Sequence, residues 1–132
     1  GNVKILLLHG DTLCTDDHEY QNFRSMVRSS AWQKEMLSKS LEERLTIANT
    51  LRQKSREANR LKGEEIMDVN NTEVMNIIEK YKPDVIIHGH THRPNIHHHN
   101  EVIRYVLGDW YNNFFILTYD NDKFYINKGI LK

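Results

Sequence analysis

The sequence predicts an α/β fold, and three observations carry the prediction. Two short, almost continuously apolar runs, VKILLL over residues 3–8 and DVIIH over residues 84–88, each lead into a His-Gly step. Stretches with helical spacing lie between them. Beyond residue 102 the pattern changes to short β-type runs.

Each element follows from its residues. A short run of apolar side chains without alternation suits a strand buried on both faces, as in a parallel sheet. The first helix is expected from Asp17 to about Val27, with Tyr20, Phe23 and Val27 on one face. The second opens at Ser40, where Ser40 and Glu43 form a capping-box pair. Its apolar stripe is Leu41, Leu45, Ala48 and Leu51. Continued along the same face, that stripe reaches Ser55, Asn59 and Lys62 and turns polar. A face that changes character in this way meets a different neighbour there or frays into solvent. A hydroxyl, an amide and an ammonium together would suit a phosphate-bearing ligand. The third helix opens at Asn70, is expected to bury Val74, Ile77, Ile78 and Tyr81, and stops at Lys82-Pro83. Runs at 102–107, 114–119 and 123–127 read as strands, the last two joined by a hairpin turn at Asp120-Asn121-Asp122.

Composition narrows the function classes. The 132 residues fit one domain or part of a larger one. Lysine plus arginine equals aspartate plus glutamate at 18 each, so no basic surface points to nucleic acid. A single cysteine, Cys14, excludes an internal disulfide and reads as a small turn residue. No apolar run approaches the roughly 20 residues that span a bilayer.

The chemistry concentrates in histidines. Ligands and catalytic groups of open α/β sheets collect at the carboxyl ends of strands, where both His-Gly steps fall. Gly89-His90-Thr91-His92 places two imidazoles at i and i+2 in an extended turn. They point apart and so suit two neighbouring ions, and a metal pair can activate water and neutralise a phosphoryl group. Gly89 is expected to let the chain turn sharply off the strand. His9 could share an ion with His90; the bland alternative makes all three ordinary turn residues. Asp17 alone reads as a helix N-cap. His97-His98-His99 reads as a solvated loop, His88 as a strand residue, Asp16-Asp17-His18 as a chance Asp-x-His string, and Asp109 as too late in the chain to bridge two metals.

His9-Gly10-Asp11 and Gly89-His90-Thr91-His92 resemble the last two motifs of the calcineurin-like metallophosphoesterases. HGDTLCTDD (9–17), SREAN (55–59), IMDVN (66–70) and HGHTHRP (88–94) narrow the resemblance to the branch that hydrolyses UDP-2,3-diacylglucosamine in lipid A synthesis. The resemblance implies the C-terminal half of a four-layer αββα sandwich, residues 1–132 forming one partial domain with a helical substrate-binding insertion over roughly 17–80. It implies a two-manganese (Mn2+) site in which His9 and His90 hold one ion and His92 the other. It places Asp17, Ser55, Asn59, Lys62 and His90 against the substrate. It implies a bacterial cytoplasmic enzyme, peripheral on the inner membrane, that releases UMP and the acylated sugar phosphate.

The family's Asp-x-His, bridging Gly-Asp and Gly-Asn-Arg-Asp motifs are expected before the residue matching His9. They are looked for on a missing N-terminal half or on a second chain. This chain alone is expected to be inactive, and no side chain on it is assigned as general acid. The rival readings are another metallophosphoesterase, acting on a phosphodiester or nucleotide, and a metal-free scaffold for protein contacts.

Overall fold

The computed structural model describes residues 2–63 and 65–131, apart from the side chain of residue 61. In chain order the elements are β1 (Ile5–Leu7), a 3-10 turn (Asp11–Leu13), α1 (His18–Val27), α2 (Ser30–Ser38), α3 (Leu41–Leu61), α4 (Asn71–Tyr81), β2 (Val85–His88), β3 (Asn95–His99), β4 (Val102–Val106), β5 (Asn113–Asp120) and β6 (Lys123–Ile130). They form two compact units: an α/β unit of Gly1–Cys14 with Asp68–Lys132, and a helical unit of Thr15–Met67.

In the α/β unit, β1, β2 and β4 run parallel and β3 lies antiparallel on β4, in the order β1-β2-β4-β3. Leu13, Val74, Ile77 and Ile86 form its core, with Leu6, Leu8, Val69, Ile78 and Val102 packed around them. Fully burying an aliphatic side chain of this kind contributes roughly 1.5–3 kcal/mol, so this cluster seats α4 on the sheet. Asn70 caps α4 by accepting from the Glu73 amide at 3.1 Å. Lys82 ends it in a left-handed conformation (φ 45°) before Pro83. Tyr81, expected in the core, is 41% exposed. α4 packs in this unit, whereas the sequence reading put it at the end of the helical insertion.

Two further expectations are corrected here. The first strand is not buried on both faces: Leu7 is 70% exposed, since among the described residues β1 has β2 as its one strand partner. The His97-His98-His99 tract is not a loop. It forms β3, with His97 opposite Arg104 in the ladder. Alternation along that strand half-buries His97 and His99 and exposes His98.

β5 and β6 form a separate two-stranded sheet. Asn121 and Asp122 both take positive φ, 48° and 59°. That is the pattern of a two-residue hairpin turn whose twist matches the flanking strands.

In the helical unit, Asp17 caps α1 by accepting from the Tyr20 amide at 3.0 Å. α2 was not foreseen; Ser29 caps it through the Trp32 amide. The capping box of α3 is formed: the Ser40 amide donates to Glu43 at 2.8 Å and the Glu43 amide to the Ser40 hydroxyl at 3.3 Å. The hydrogen bond from the Ser40 amide holds the Glu43 carboxyl below its usual pKa. The leucines at the start of α3 are open to solvent, with Leu41 72% exposed. Among the described residues, no helix is long and apolar enough to cross a membrane.

Candidate metal centre and substrate cavity

Parallel pairing of β1 with β2 continues past both strand ends. The Leu8 amide donates to Ile87 at 3.0 Å, and the Gly89 amide donates to the His9 carbonyl at 3.0 Å. The two His-Gly steps therefore sit side by side. The imidazoles of His9 and His90 lie with ring centroids 5.0 Å apart, tilted by 57°. At that separation two imidazole nitrogens can each reach a shared ion at roughly 2 Å.

Backbone conformation at this corner is unusual. His90 and His92 both adopt left-handed φ, 66° and 54°. For residues carrying a Cβ this costs on the order of 1–2 kcal/mol each, and such strain gathers at ligand-binding sites. The sequence reading gave the sharp turn to Gly89, but the positive φ falls on the histidines instead. The glycine that the site requires is Gly10, at φ 113°. A Cβ there would lie 2.8 Å from the Gly89 carbonyl oxygen, 2.9 Å from His88 Nδ1 and 3.1 Å from His90 Cβ. Gly10 thus permits the close approach of the two histidine turns.

Two carboxylates that sequence reasoning passed over bear on the imidazoles. Buried Asp11 lies 3.2 Å from His9 Nδ1, and Asp109 lies 3.4 Å from His92 Nδ1. A carboxylate on one ring nitrogen fixes a histidine's tautomer and orientation for binding at the other. Asp11 was visible as the residue after His9-Gly10. Asp109 was set aside as a metal bridge for its place in the chain; its contact with His92 comes from the segment after β4. Between the two turn histidines, the Thr91 hydroxyl is buried and has no hydrogen-bond partner among the described residues.

Beneath the site, His88 is 1% and Arg104 4% exposed. Burial pushes the His88 pKa down, and the nearby Arg104 charge adds to that effect.

The helical unit holds a cavity of about 210 Å³. Tyr20, Phe23 and Leu51 line its apolar side, and Ser55, Asn59 and Lys62 its polar side. Only the end of the α3 stripe, from Leu51 to Lys62, lines the recess; Ser55 and Asn59 stay exposed, as do Leu41 and Leu45 at its start. The Lys62 ammonium donates to both Asp17 carboxylate oxygens, at 2.8 and 3.0 Å, and lies 3.1 Å from Glu19. Burial alone would lower the Lys62 pKa; the bonds to Asp17 and Glu19 outweigh it and hold the pKa above the usual lysine value. Asp17 is thus both helix cap and ion-pair partner. Glu19 is a further partner that the sequence reading missed. His90, expected with these residues around one substrate, belongs to the α/β unit.

A mixed α/β sheet here presents histidines beyond adjacent parallel strands. The family model for calcineurin-like phosphoesterase matches residues 1–94, and the chain belongs to that family. It is similar to curated proteins named UDP-2,3-diacylglucosamine hydrolase. The relative from Chromohalobacter salexigens is 45% identical over 114 residues, covering 83% of this chain and 46% of the relative. That from Bordetella pertussis is 48% identical over 111 residues, covering 81% and 43%. That from Neisseria meningitidis is 43% identical over 120 residues, covering 90% and 50%. The chain thus spans about half the length of the curated relatives it matches.

Members of this family bind divalent metal ions. The residues here fit part of such a site. Two tilted imidazoles face each other, two carboxylates orient imidazoles, and a buried hydroxyl awaits a partner. Among the described residues no three His, Cys, Asp or Glu side chains converge as a cage.

Proposed function

We propose that this chain provides part of the active site of a hydrolase that splits the pyrophosphate of UDP-2,3-diacylglucosamine, giving UMP and 2,3-diacylglucosamine 1-phosphate in lipid A biosynthesis. The observation that carries the reading is the 5.0 Å approach of His9 and His90, delivered by two parallel strands. Its support from similarity is the 43–48% identity to relatives of that name.

In this reading His9 and His90 hold one manganese ion and His92 the second. Bound, the ions supply Lewis acidity toward the phosphoryl group and an activated water. Asp11 and Asp109 keep the His9 and His92 rings turned for binding. In the helical insertion, Ser55, Asn59, Lys62 and Asp17 contact the substrate's polar head, and His90 contacts it from the metal side. Tyr20, Phe23 and Leu51 offer apolar surface to an acyl chain. Lys62 already donates to two carboxylates, so a phosphate at this position binds by taking over donors from Asp17 or Glu19. The bridging carboxylate and the other ligands come from polypeptide outside this chain, either the remainder of the intact protein or a second chain. An acylated substrate favours work at a lipid surface, and in this reading that surface is the cytoplasmic face of the bacterial inner membrane.

The test is UMP release from UDP-2,3-diacylglucosamine by the intact protein, with and without Mn2+, beside calorimetric titration of the ion. Hydrolysis that needs the ion, with the isolated 132-residue chain inactive and binding Mn2+ weakly, is the expected result. Robust turnover and tight binding of two ions by the isolated chain would overturn the division of the site. Failure of the intact protein to cleave this substrate would overturn the assignment.

A further inference from the structure

We propose that Arg104 and His88 form a positioning relay that holds the turn carrying His90, and so sets the separation of His9 and His90. The inference rests on reading those two histidines as metal ligands, and concerns residues that touch neither metal nor substrate.

The argument begins with donors and acceptors. A guanidinium only donates, so the 2.9 Å contact between Arg104 Nη1 and His88 Nε2 makes that nitrogen an acceptor. The same guanidinium donates from Nε to His99 Nε2 at 3.2 Å. The proton of neutral His88 must then sit on Nδ1, which donates to the Gly89 carbonyl at 3.0 Å. Both ring nitrogens are occupied, and His88 has none to offer an ion.

The Gly89 peptide groups are consequently clamped on both sides. The carbonyl accepts from His88 Nδ1 and also from the Thr91 amide at 2.8 Å, while the amide of Gly89 donates to His9 at 3.0 Å. His90 follows at φ 66°. A strained conformation persists only where its surroundings over-determine it, and these hydrogen bonds do so. Gly10 packs against the same corner, its α-carbon facing His88 Nδ1 and the Gly89 carbonyl. The chain of contacts therefore runs from β3 and β4 through β2 into the turn, and across it to His9.

Simple packing does not explain the relay. A histidine 1% exposed against an arginine 4% exposed is costly to desolvate, and an aliphatic side chain at position 88 would be cheaper. What an aliphatic residue lacks is the Nδ1 donor that fixes Gly89.

The experiment uses the intact protein with Co2+ as probe, because its visible spectrum reports ligand geometry. His88→Gln can keep an acceptor for Arg104 through Oε1 but has no donor at the Nδ1 position that reaches Gly89. It should weaken Co2+ binding by about tenfold or more, the scale for outer partners of metal ligands, and shift the visible bands. Ile86→Val, a core change on the same strand, should lower the melting temperature and leave Co2+ affinity and spectrum unchanged. Should His88→Gln fail to fold, Arg104→Lys tests the same link, since one ammonium cannot reproduce the fork that reaches both histidines. Independently, nitrogen NMR of the wild-type protein should show His88 protonated on Nδ1. Wild-type affinity and spectrum in the relay variants, equal loss in Ile86→Val, or a proton on His88 Nε2 would each overturn the relay. Absence of Co2+ binding by the wild-type protein would instead remove the ligand reading, and the relay's role with it.

Discussion

The two units are stabilised in different ways. The α/β unit has a closed apolar core, parallel ladders and a buried Arg–His pair under its histidine turns. In the helical unit, Asp17 is the one buried residue among those described, and its strongest visible tie is the Asp17–Lys62 ion pair at 2.8 Å. The histidines proposed as metal ligands thus stand on turns anchored to a packed core, although the His9 and His92 side chains are themselves exposed. The cavity proposed for a flexible, acylated ligand lies on helices with little buried surface to constrain them. Low burial marks the segments that open and readjust most readily.

Substitutions can break or sharpen that contrast. The largest effect is expected for His90→Ala in the intact protein. Removing a first ligand should cost more than the roughly 100-fold upper range for outer partners, read as UMP release at saturating Mn2+. Near-normal turnover would move the chemistry away from the α/β unit. Lys62→Ala comes next. It leaves Asp17, 6% exposed, without its cation, which on the scale of broken buried pairs costs roughly 3 kcal/mol. KM is expected to rise more than kcat falls, since a phosphate anchor acts in ground and transition states alike. A selective fall in kcat would make the helical unit part of the chemistry. The pair has a pH signature as well. With its folded pKa above 10.5, Lys62 contributes across the neutral range and is lost only as pH rises through that folded value.

Gly10→Ala should cost about 2 kcal/mol from the positive φ and the blocked approach, seen as a lower denaturation midpoint with weakened metal binding. An unchanged midpoint would show that the corner yields. The smallest effect concerns β3. Burial and the neighbouring Arg104 push the pKa values of His97 and His99 down, with His98 adding to the repulsion on His99 and Asp68 opposing it on His97. Both are neutral above their ordinary value of 6.5, and the fold resists protonating them. The melting temperature should therefore fall as pH drops below that value. A His97→Asn, His99→Asn double variant should flatten the slope, and an unchanged slope would locate the acid sensitivity elsewhere.

Much of this was legible in the chain because the signals are local. The capping box at Ser40 and Glu43, the Asn70 cap, the Lys82-Pro83 stop and the 120–122 hairpin turn each depend on neighbours a few residues apart. The His-Gly steps were readable because a strand's carboxyl end is a known place for ligands. The misses depended on distant partners. β3 reads as a polar loop until Arg104 is seen opposite His97. Asp109 acquires meaning only through β4, and the partners of Lys62 come from the start of α1. Exposure of Leu7 and Leu41 could not be read either, because an apolar stripe specifies what would be buried and not whether anything covers it.

The pairing of β1 with β2 also has a kinetic side. The Lys4 amide donates to Asp84 at 2.7 Å across a separation of 80 residues, and closing a chain loop of that size carries an entropic cost of about 4 kcal/mol. Contacts so far apart form late and slowly compared with helical turns. His9 and His90 therefore meet only after the loop has closed, and no helical intermediate contains the two-imidazole site. If His9 and His90 hold an ion as proposed, divalent ions added during refolding would act on the completed sheet alone, drawing the equilibrium toward it by mass action. The growth of a metal-dependent absorption band would then time the final closure of the chain, separately from the earlier rise of helical circular dichroism.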